Sequence, residues 1–417
     1  MNLLVKLAFR NIFRQRRRSL LTALSVGGGY LLCALSFSLI EGSYNNLINL
    51  FTLTKTGHVQ IHKGDYLDRP KLHKAIDDYA EIGRQLDSMD QVKSYTYRVF
   101  APALAYSDAG NHPAQVIGID LTRERATTLI ADKVTSGQYI DNKANDDGYF
   151  QAMVGVGVAE SLKIGLGDDL ILISQGADGS IANDVFKVGA IIGSRDSGDG
   201  GNVYLSLNAA QSFLALEGRV HEMVLTLDNY DGSAAFATTL RTTISRLAAS
   251  SPSLASLTVS PWQEVEVDFY KSMESDKRGN VVSLGIILFI VFIGVLNTVL
   301  MSVLERTREF GVLKAIGSRP ITILSLVTIE TTLLATLSVA AALFLTLPLV
   351  YWLTHVGFEL SEPIDVGGVM FSAYRGEMSW YVFGVPFLLL IFFAFIISIP
   401  PGIRAARISP TQAMSSF

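Results

Sequence analysis

Cysteine is nearly missing from this sequence. Its 417 residues hold one, Cys33, inside an apolar run, which excludes an intrachain disulfide framework. Charge is scarce as well. Asp, Glu, Lys and Arg make up 17% of the chain against 49% hydrophobic residues, with a mean hydropathy of +0.35. That balance is too apolar for an ordinary soluble protein and predicts membrane spans. Chemistry motifs are lacking too. There is no G-x-x-x-x-G-K-[ST] phosphate loop, so nucleotide hydrolysis is not encoded here. Neither H-E-x-x-H nor C-x-x-C occurs, and Ser161 and Ser206 have no G-x-S-x-G setting. His58 and His62 are four apart, but the alternation around them reads as strand, where such a pair is usually surface rather than metal site. The Gly-rich stretch Gly193 to Gly201 lacks the strand-to-helix setting of a phosphate cradle. Basic clusters are explained by membrane topology, so nucleic-acid binding is not expected, and nothing in the chain supports an enzyme.

What is present is organised around Leu304 to Pro320, LERTREFGVLKAIGSRP. It is short, charged and helix-prone. Val281 to Val303 before it has no charged residue, and Ile321 to Val356 after it has one, Glu330. Each run is long enough to cross a bilayer. The charged stretch is therefore a turn at a membrane surface, and Arg306, Arg308, Lys314 and Arg319 mark that surface as cytoplasmic. A small helix held there by two spans is placed to receive force from a soluble protein. The same charge pattern also suits any cytoplasmic loop.

The remaining chain gives a layout of four spans. Residues 1–18 mix Leu3, Leu4, Leu7, Phe9, Ile12 and Phe13 with basic residues. They read as an amphipathic helix along the inner surface, or as an orientation signal only. Residues 19–40 form the first span. This core is longer than that of a cleavable signal, so a retained anchor is expected. Gly27, Gly28 and Gly29 within it allow close helix approach. Residues 41–280 lack a membrane-length apolar run and form a large α+β domain on the far side, expected as two subdomains. Within it, His58 to His62, Gln115 to Asp120, Phe186 to Ile192, Asn202 to Leu205 and Met223 to Leu227 read as strands. Asp77 to Met89 and Ala234 to Ala249 read as helices. Ala152 to Ser174 reads as strand, short helix (Val158 to Lys163), Gly turn, strand. Asn142 to Gly148 and Gly193 to Gly201 read as exposed loops. Glu264 to Arg278 is expected to run as helix into the second span, 281–303. A coupling helix at 304–320, a third span at 321–353, an outer loop at 354–379, a fourth span at 380–400 and an inner tail at 401–417 complete the chain. Both termini and the central turn then share the cytoplasmic side, in agreement with their basic residues. Glu330 is expected near the inner headgroups, either paired with Arg306 or Arg308 or simply solvated. Asn297 in the second span is placed to hydrogen-bond across helices.

With these elements in place the chain resembles the FtsX-like permeases of ABC transporters, among them the MacB-type and the lipoprotein-releasing (LolC and LolE) permeases, the latter closest in layout. LAFRNIFRQRRRSLLTALSVGGG is similar to the family's start and first span. GVGVAESLKIGLGDDLILI is similar to its "G..LA..L....GD" motif, and SPWQEVEVDF to the entry into the second span. ERTREFGVLKAIGSRPITILSLVTIE matches its coupling segment at Glu305, Arg306, Glu309, Gly311, Lys314, Ala315, Gly317 and Glu330. PPGIRAARISPTQAM matches its end at Pro401, Arg404, Ala405, Pro410 and Ala413.

The resemblance implies a MacB-like periplasmic core domain on a four-span scaffold in the bacterial inner membrane. It implies a dimer with a second copy or paralogue, driven by two copies of a separate ATPase that bind ATP and Mg; no cofactor belongs to this chain. Phe310, Val312, Leu313 and Ile316 are expected to fill a groove on that ATPase, rimmed by Arg308, Glu309 and Lys314. The expected cargo is a lipoprotein drawn from the outer leaflet and passed to a periplasmic acceptor. Phe37, Ile40, Tyr44, Phe269, Tyr270 and Met273 are placed to meet membrane lipid or acyl chains, or to serve as interface anchors. The competing readings are MacB-like efflux of small molecules or peptides, and FtsX-like signalling to a cell-wall hydrolase.

Overall fold

The computed structural model describes residues 3–14, 16–145, 147–195, 197–249, 252–366 and 369–409. Four of its helices are long and apolar enough to cross a membrane, and a large α+β domain lies between the first and second of them. The described chain divides into two compact units. One gathers residues 1–46, 273–361 and 373–417, and the other residues 47–272 and 362–372.

In the helical unit, Arg16–Phe51, Val267–Glu305, Pro320–His355 and Trp380–Arg407 are the long helices. The apolar runs set where they cross, but the helices outrun them. The first continues through the polar stretch after Ile40 to Phe51, then widens into a π-turn at Thr52–Thr56 that Gly57 ends with φ +64°. The second begins well before Val281, as Glu264 to Arg278 suggested. A shared core of Val26, Tyr30, Val299, Phe310, Val327 and Leu390 joins them. Of the consecutive glycines Gly27, Gly28 and Gly29 in the first helix, two permit close packing. A Cβ on Gly29 would lie 2.4 Å from Val291 Cγ2, and one on Gly27 would lie 3.3 Å from the Ala342 Cβ, while Gly28 faces open space. Gly42 is tighter, for its Cβ would fall 2.3 Å from the Gly376 backbone. The short helix Leu3–Arg14 buries Ala8 and Ile12 while Leu7, Phe9 and Phe13 stay exposed. This is the amphipathic pattern of an interfacial helix. Residues 354–379, expected as a loop, contain a hairpin of Phe358–Val366 and Val369–Tyr374.

The second unit is built on one ten-stranded sheet rather than two subdomains. Its strands are β1 (Val59–Lys63), β2 (Val92–Ser107), β3 (Gly110–Ile119), β4 (Val134–Gly137), β5 (Gln151–Gly155), β6 (Asp169–Gln175), β7 (Ile181–Ile192), β8 (Asn202–Ser206), β9 (Glu222–Leu227) and β10 (Leu257–Pro261). They run in the order β10-β1-β9-β2-β3-β8-β5-β7-β4, with β6 paired to β2 and β7. Strand side chains alternate between faces, and here both faces are used. Val59, Ile61, Val99, Ala152, Val154 and Leu225 join one large core; Ile117, Ile119, Met153, Ile192 and Tyr204 form a second.

The glycine motif beside β5 has a steric cause. A Cβ on Gly155 would sit 2.3 Å from the Asp199 carbonyl oxygen, and one on Gly157 would sit 2.9 Å from that of Gly200. The loop Gly193 to Gly201 packs onto this glycine pair and buries Gly200, so it is not the fully exposed loop expected.

Candidate coupling site

The charged turn holds one helix, Thr307–Ala315, shorter than the 304–320 expected. Its end is written in the sequence. Gly317 takes φ +98°, its N–H and that of Ser318 return to the Lys314 and Leu313 carbonyls, and Pro320 starts the next helix at its first position. A left-handed glycine stop followed by a proline start is the ordinary chemistry of such a junction.

An ion-pair network fixes this helix. Arg306 Nη1 donates to both carboxylate oxygens of Glu330 at 2.9 Å, and its Nε donates to Glu309 Oε2 at 2.9 Å. Arg14 Nη2 reaches Glu309 Oε1 at 2.7 Å, and Asn11 Nδ2 reaches Glu330 Oε2 at 3.2 Å. Of the two partners considered for Glu330, the structure selects Arg306, while Arg308 is exposed. Burial pulls the Arg306 pKa down, but the Glu330 and Glu309 carboxylates overcome it and hold the guanidinium above its ordinary value. Burial pushes the Glu309 carboxyl up, and Arg306 and Arg14 hold it below the usual carboxylate range. Lys314 Nζ donates to the carbonyls of Ala406 at 3.0 Å and Ile408 at 2.9 Å, capping the end of the last long helix.

This geometry corrects one expectation. Phe310 is 1% exposed, lies in the helical core and receives the Arg306 guanidinium over its ring at 5.3 Å. It cannot anchor in a partner's groove, because its surface is already buried in its own chain. Leu313 packs against the same core, and Gly311 is buried. Glu309 and Lys314 are engaged within the chain, so they are not a free rim. What faces outward is Arg308, Val312, Ala315, Ile316 and Gly317, together with Leu304 and Glu305. Pro401 and Ala405 are buried and Arg404 is exposed, whereas Pro410 and Ala413 lie outside the described residues.

The other singled-out residues fall apart into separate settings. Asn297 is exposed and has no hydrogen bond among the described residues. Phe37 meets Tyr381 edge-on at 6.1 Å, Ile40 is half-buried, and Tyr44 accepts a hydrogen bond from Asn280 at 3.2 Å under the Lys277 ammonium. Met273 is buried. In the sheet-bearing unit Phe269 stacks on Phe51 at 4.1 Å, and the half-exposed Tyr270 meets the Trp262 ring.

Sequence reasoning missed a buried polar row in that unit. Register places His62 opposite Glu222, and Glu222 opposite Arg98. His62 Nε2 lies 3.1 Å from Glu222 Oε2, and Arg98 Nη1 donates to Glu222 Oε1 at 3.3 Å. Arg98 also grips Glu124 through Nη2 at 2.6 Å and Nε at 3.3 Å. Burial alone would raise the Glu222 pKa; His62 and Arg98 lower it instead. His58 and His62 are buried, not the surface pair expected. The clue in the sequence was polar side chains at alternate positions of two strands, Gln60 and His62 in β1 and Thr96 and Arg98 in β2.

Four helices long and apolar enough to cross a membrane, an inserted α+β domain and a short charged helix bonded to two of the long helices and to the N-terminal one define a polytopic membrane protein with one dominant domain between its first two spans. Comparison gives its lineage. Residues 19–243 match the MacB-like periplasmic core domain and residues 281–410 the FtsX-like permease C-terminal family, the first alone taking in more than half of the chain. The chain belongs to the MacB-type ABC transporter permease family. It is 34% identical over 136 residues to a macrolide export ATP-binding/permease protein MacB of Sodalis glossinidius, an alignment covering 31% of this chain and 18% of that protein. A MacB 1 of Aeromonas hydrophila is 33% identical over 122 residues, 29% of this chain and 17% of its own length. The chain thus spans under a fifth of the curated relatives it matches. The periplasmic region of MacB from Actinobacillus actinomycetemcomitans superposes with a TM-score of 0.38 at 12% identity, over 53% of this chain and 96% of that one.

Proposed function

We propose that this chain is the permease subunit that relays the strokes of a separate ABC ATPase to its own large domain, with the helix Thr307–Ala315 as the point of attachment. The observation that supports this reading is the division of labour on that helix. Arg306, Glu309, Phe310 and Lys314 fasten it to the rest of the helical unit, while Arg308, Val312 and Ile316 remain outside with nothing packed over them. An apolar pair one turn apart with a neighbouring cation is what a groove on a soluble partner takes up. ATP and Mg belong to that partner. A second permease copy is accommodated on the helix Val267–Glu305. Its exposed stripe of Val282, Ile286, Phe289, Ile293 and Met301 has the polar Asn297 in the middle, and a polar side chain in a membrane helix favours a helical neighbour.

For cargo, release of a lipoprotein from the outer leaflet of the inner membrane is the first reading, with the half-buried Phe37, Ile40 and Tyr44 at the end of the first span as the lipid-facing residues. The names of the MacB relatives favour a second, efflux of a macrolide-like small molecule. Purification of the whole protein in mild detergent, followed by mass spectrometry, tests both the coupling and the cargo. Recovery of an ABC ATPase with the wild type, and its loss from Val312→Asp and Ile316→Asp variants that still fold, is the expected result. An ATPase retained by both variants refutes the attachment point. A lipidated passenger supports the first cargo reading, an adaptor of an efflux assembly the second, and a cell-wall hydrolase overturns both in favour of signalling.

A further inference from the structure

The sheet-bearing unit holds a cavity of about 420 Å³ beside the buried polar row, a volume that suits a small organic ligand. The charged side chains that line it are three cations and three carboxylates, and each cation meets a carboxylate of the same wall. Lys55 Nζ lies 2.8 Å from Glu266 Oε1, Arg98 Nη1 lies 3.3 Å from Glu222 Oε1, and Lys133 pairs with Asp199. The wall thus answers its own charges. An ion brought into it would leave water without gaining a free counter-charge, so the wall favours a neutral ligand.

What the wall leaves unanswered is uncharged. Gln60 is 3% exposed, and its Nε2 donates to the Thr56 carbonyl at 2.8 Å. That bond fixes the amide, because the reverse orientation would set one carbonyl oxygen against another. Gln60 Oε1 is then an acceptor, and among the described residues nothing donates to it. The buried Thr54 hydroxyl also has no partner there. Both residues line the cavity. A buried polar atom left unpaired is destabilising, and a ligand with its own donors relieves it. A hydroxyl is the neutral group that suits this wall, since it both donates and accepts. It can serve Gln60 Oε1 and Thr54, and it can also use the ammonium protons and carboxylate lone pairs that the ion pairs leave over. Phe100, Ile117 and Val265 supply an apolar part of the same wall. Water would answer the two orphan atoms but gain nothing from that part, whereas a carbon skeleton between hydroxyls does.

We propose that this cavity binds a neutral polyhydroxylated molecule of monosaccharide size, one hydroxyl donating to Gln60 Oε1, a second bonded to the Thr54 hydroxyl, and a C–H face against Phe100 and Ile117. Binding requires no ATPase, so it stands apart from the coupling mechanism and can fail without touching it.

The test uses full-length protein in nanodiscs and ligand-observed NMR titrations with glucose, galactose and myo-inositol. Glucosamine, held below the pKa of its amine, and glucuronate serve as charged probes of the same size. Saturable binding is expected for at least one neutral polyol. Its charged counterparts are expected to bind about tenfold more weakly or not at all, because each carries an ion to a wall with no free counter-charge. Gln60→Leu removes the orphan acceptor and Thr54→Val the orphan hydroxyl. Neither touches an ion pair, and each is expected to weaken the polyol about tenfold, so that one variant keeps the test decisive if the other misfolds. No saturable binding of any neutral polyol by the wild type, equal affinity for a charged probe, or wild-type affinity in a folded variant overturns the proposal.

Discussion

Replacing Arg306 by Met is the most informative single change in the helical unit. The side chain is 9% exposed and carries a bidentate pair to Glu330, itself 17% exposed, plus a bond to Glu309. Removal of one member of a buried ion pair costs about 3–5 kcal/mol, because the partner charge is left uncompensated. Here Glu330 keeps Asn11 and Glu309 keeps Arg14, which places the loss near the lower end, about 3 kcal/mol. Glu330→Leu leaves Arg306 with Glu309 and should cost about 2 kcal/mol. The double variant removes both charges and refills the space with apolar side chains, an exchange that is often neutral. The cycle should therefore be strongly non-additive, with a coupling of about 2 kcal/mol or more. Reversible denaturation of the full protein in nanodiscs measures it. Single-variant losses that sum to the double-variant loss within about 0.5 kcal/mol would show that the pair is not a unit, and the anchoring role given to it would fall.

Other outcomes follow from the same geometry. Phe310→Ala should destabilise the protein by about 3–5 kcal/mol, as for a fully buried aromatic, whereas Ile316→Ala should leave its thermal midpoint nearly unchanged; equal effects would reverse the inward and outward faces. Gly42→Ala should cost about 1–3 kcal/mol through overpacking against the Gly376 backbone, and Gly28→Ala, with open space around its Cβ, should be neutral or slightly stabilising in the same melting assay. Burial lowers the His58 pKa to about 4 from an ordinary value near 6.5. The unfolded chain then binds the proton first as pH falls, so stability held above about pH 6.5 is lost progressively toward pH 4, by about 3 kcal/mol in all. His58→Asn should flatten that part of the stability profile against pH; an unchanged slope would assign it to other groups.

Hydropathy made the spans legible, because a continuous apolar run carries its own length. Gly317 and Pro320 carry the signal for the end of the short helix, but the expected helix ran through to 320, and the ends of the long helices could not be read where polar residues such as Glu41 and Asn45 stay helical. The direction of the short helix was hidden for a different reason. At 100° per residue Phe310, Val312, Leu313 and Ile316 fall within one arc of about 160°, so periodicity groups them on one face and does not say that Phe310 and Leu313 pack inward while Val312 and Ile316 stay exposed; the core that holds Val299, Val327 and Phe310 together decides it. In the large domain, His58 to His62 and Met223 to Leu227 showed as strands, but their pairing joins residues 160 or so apart in sequence, which no local pattern encodes. β2 went unread because Arg98 and Pro102 break its apolar alternation, and Arg98 is a core residue only once Glu124 and Glu222 meet it from distant segments.

Lys314 reaches the final helix, Arg306 the third, and Glu309 meets Arg14 of the N-terminal helix, all from within a single nine-residue stretch or its first cap. Traction applied there is shared among several struts at once instead of bending one. Under the proposed coupling, partial loosening of any one strap would then weaken the relay rather than abolish it, and complete failure would need two to be cut.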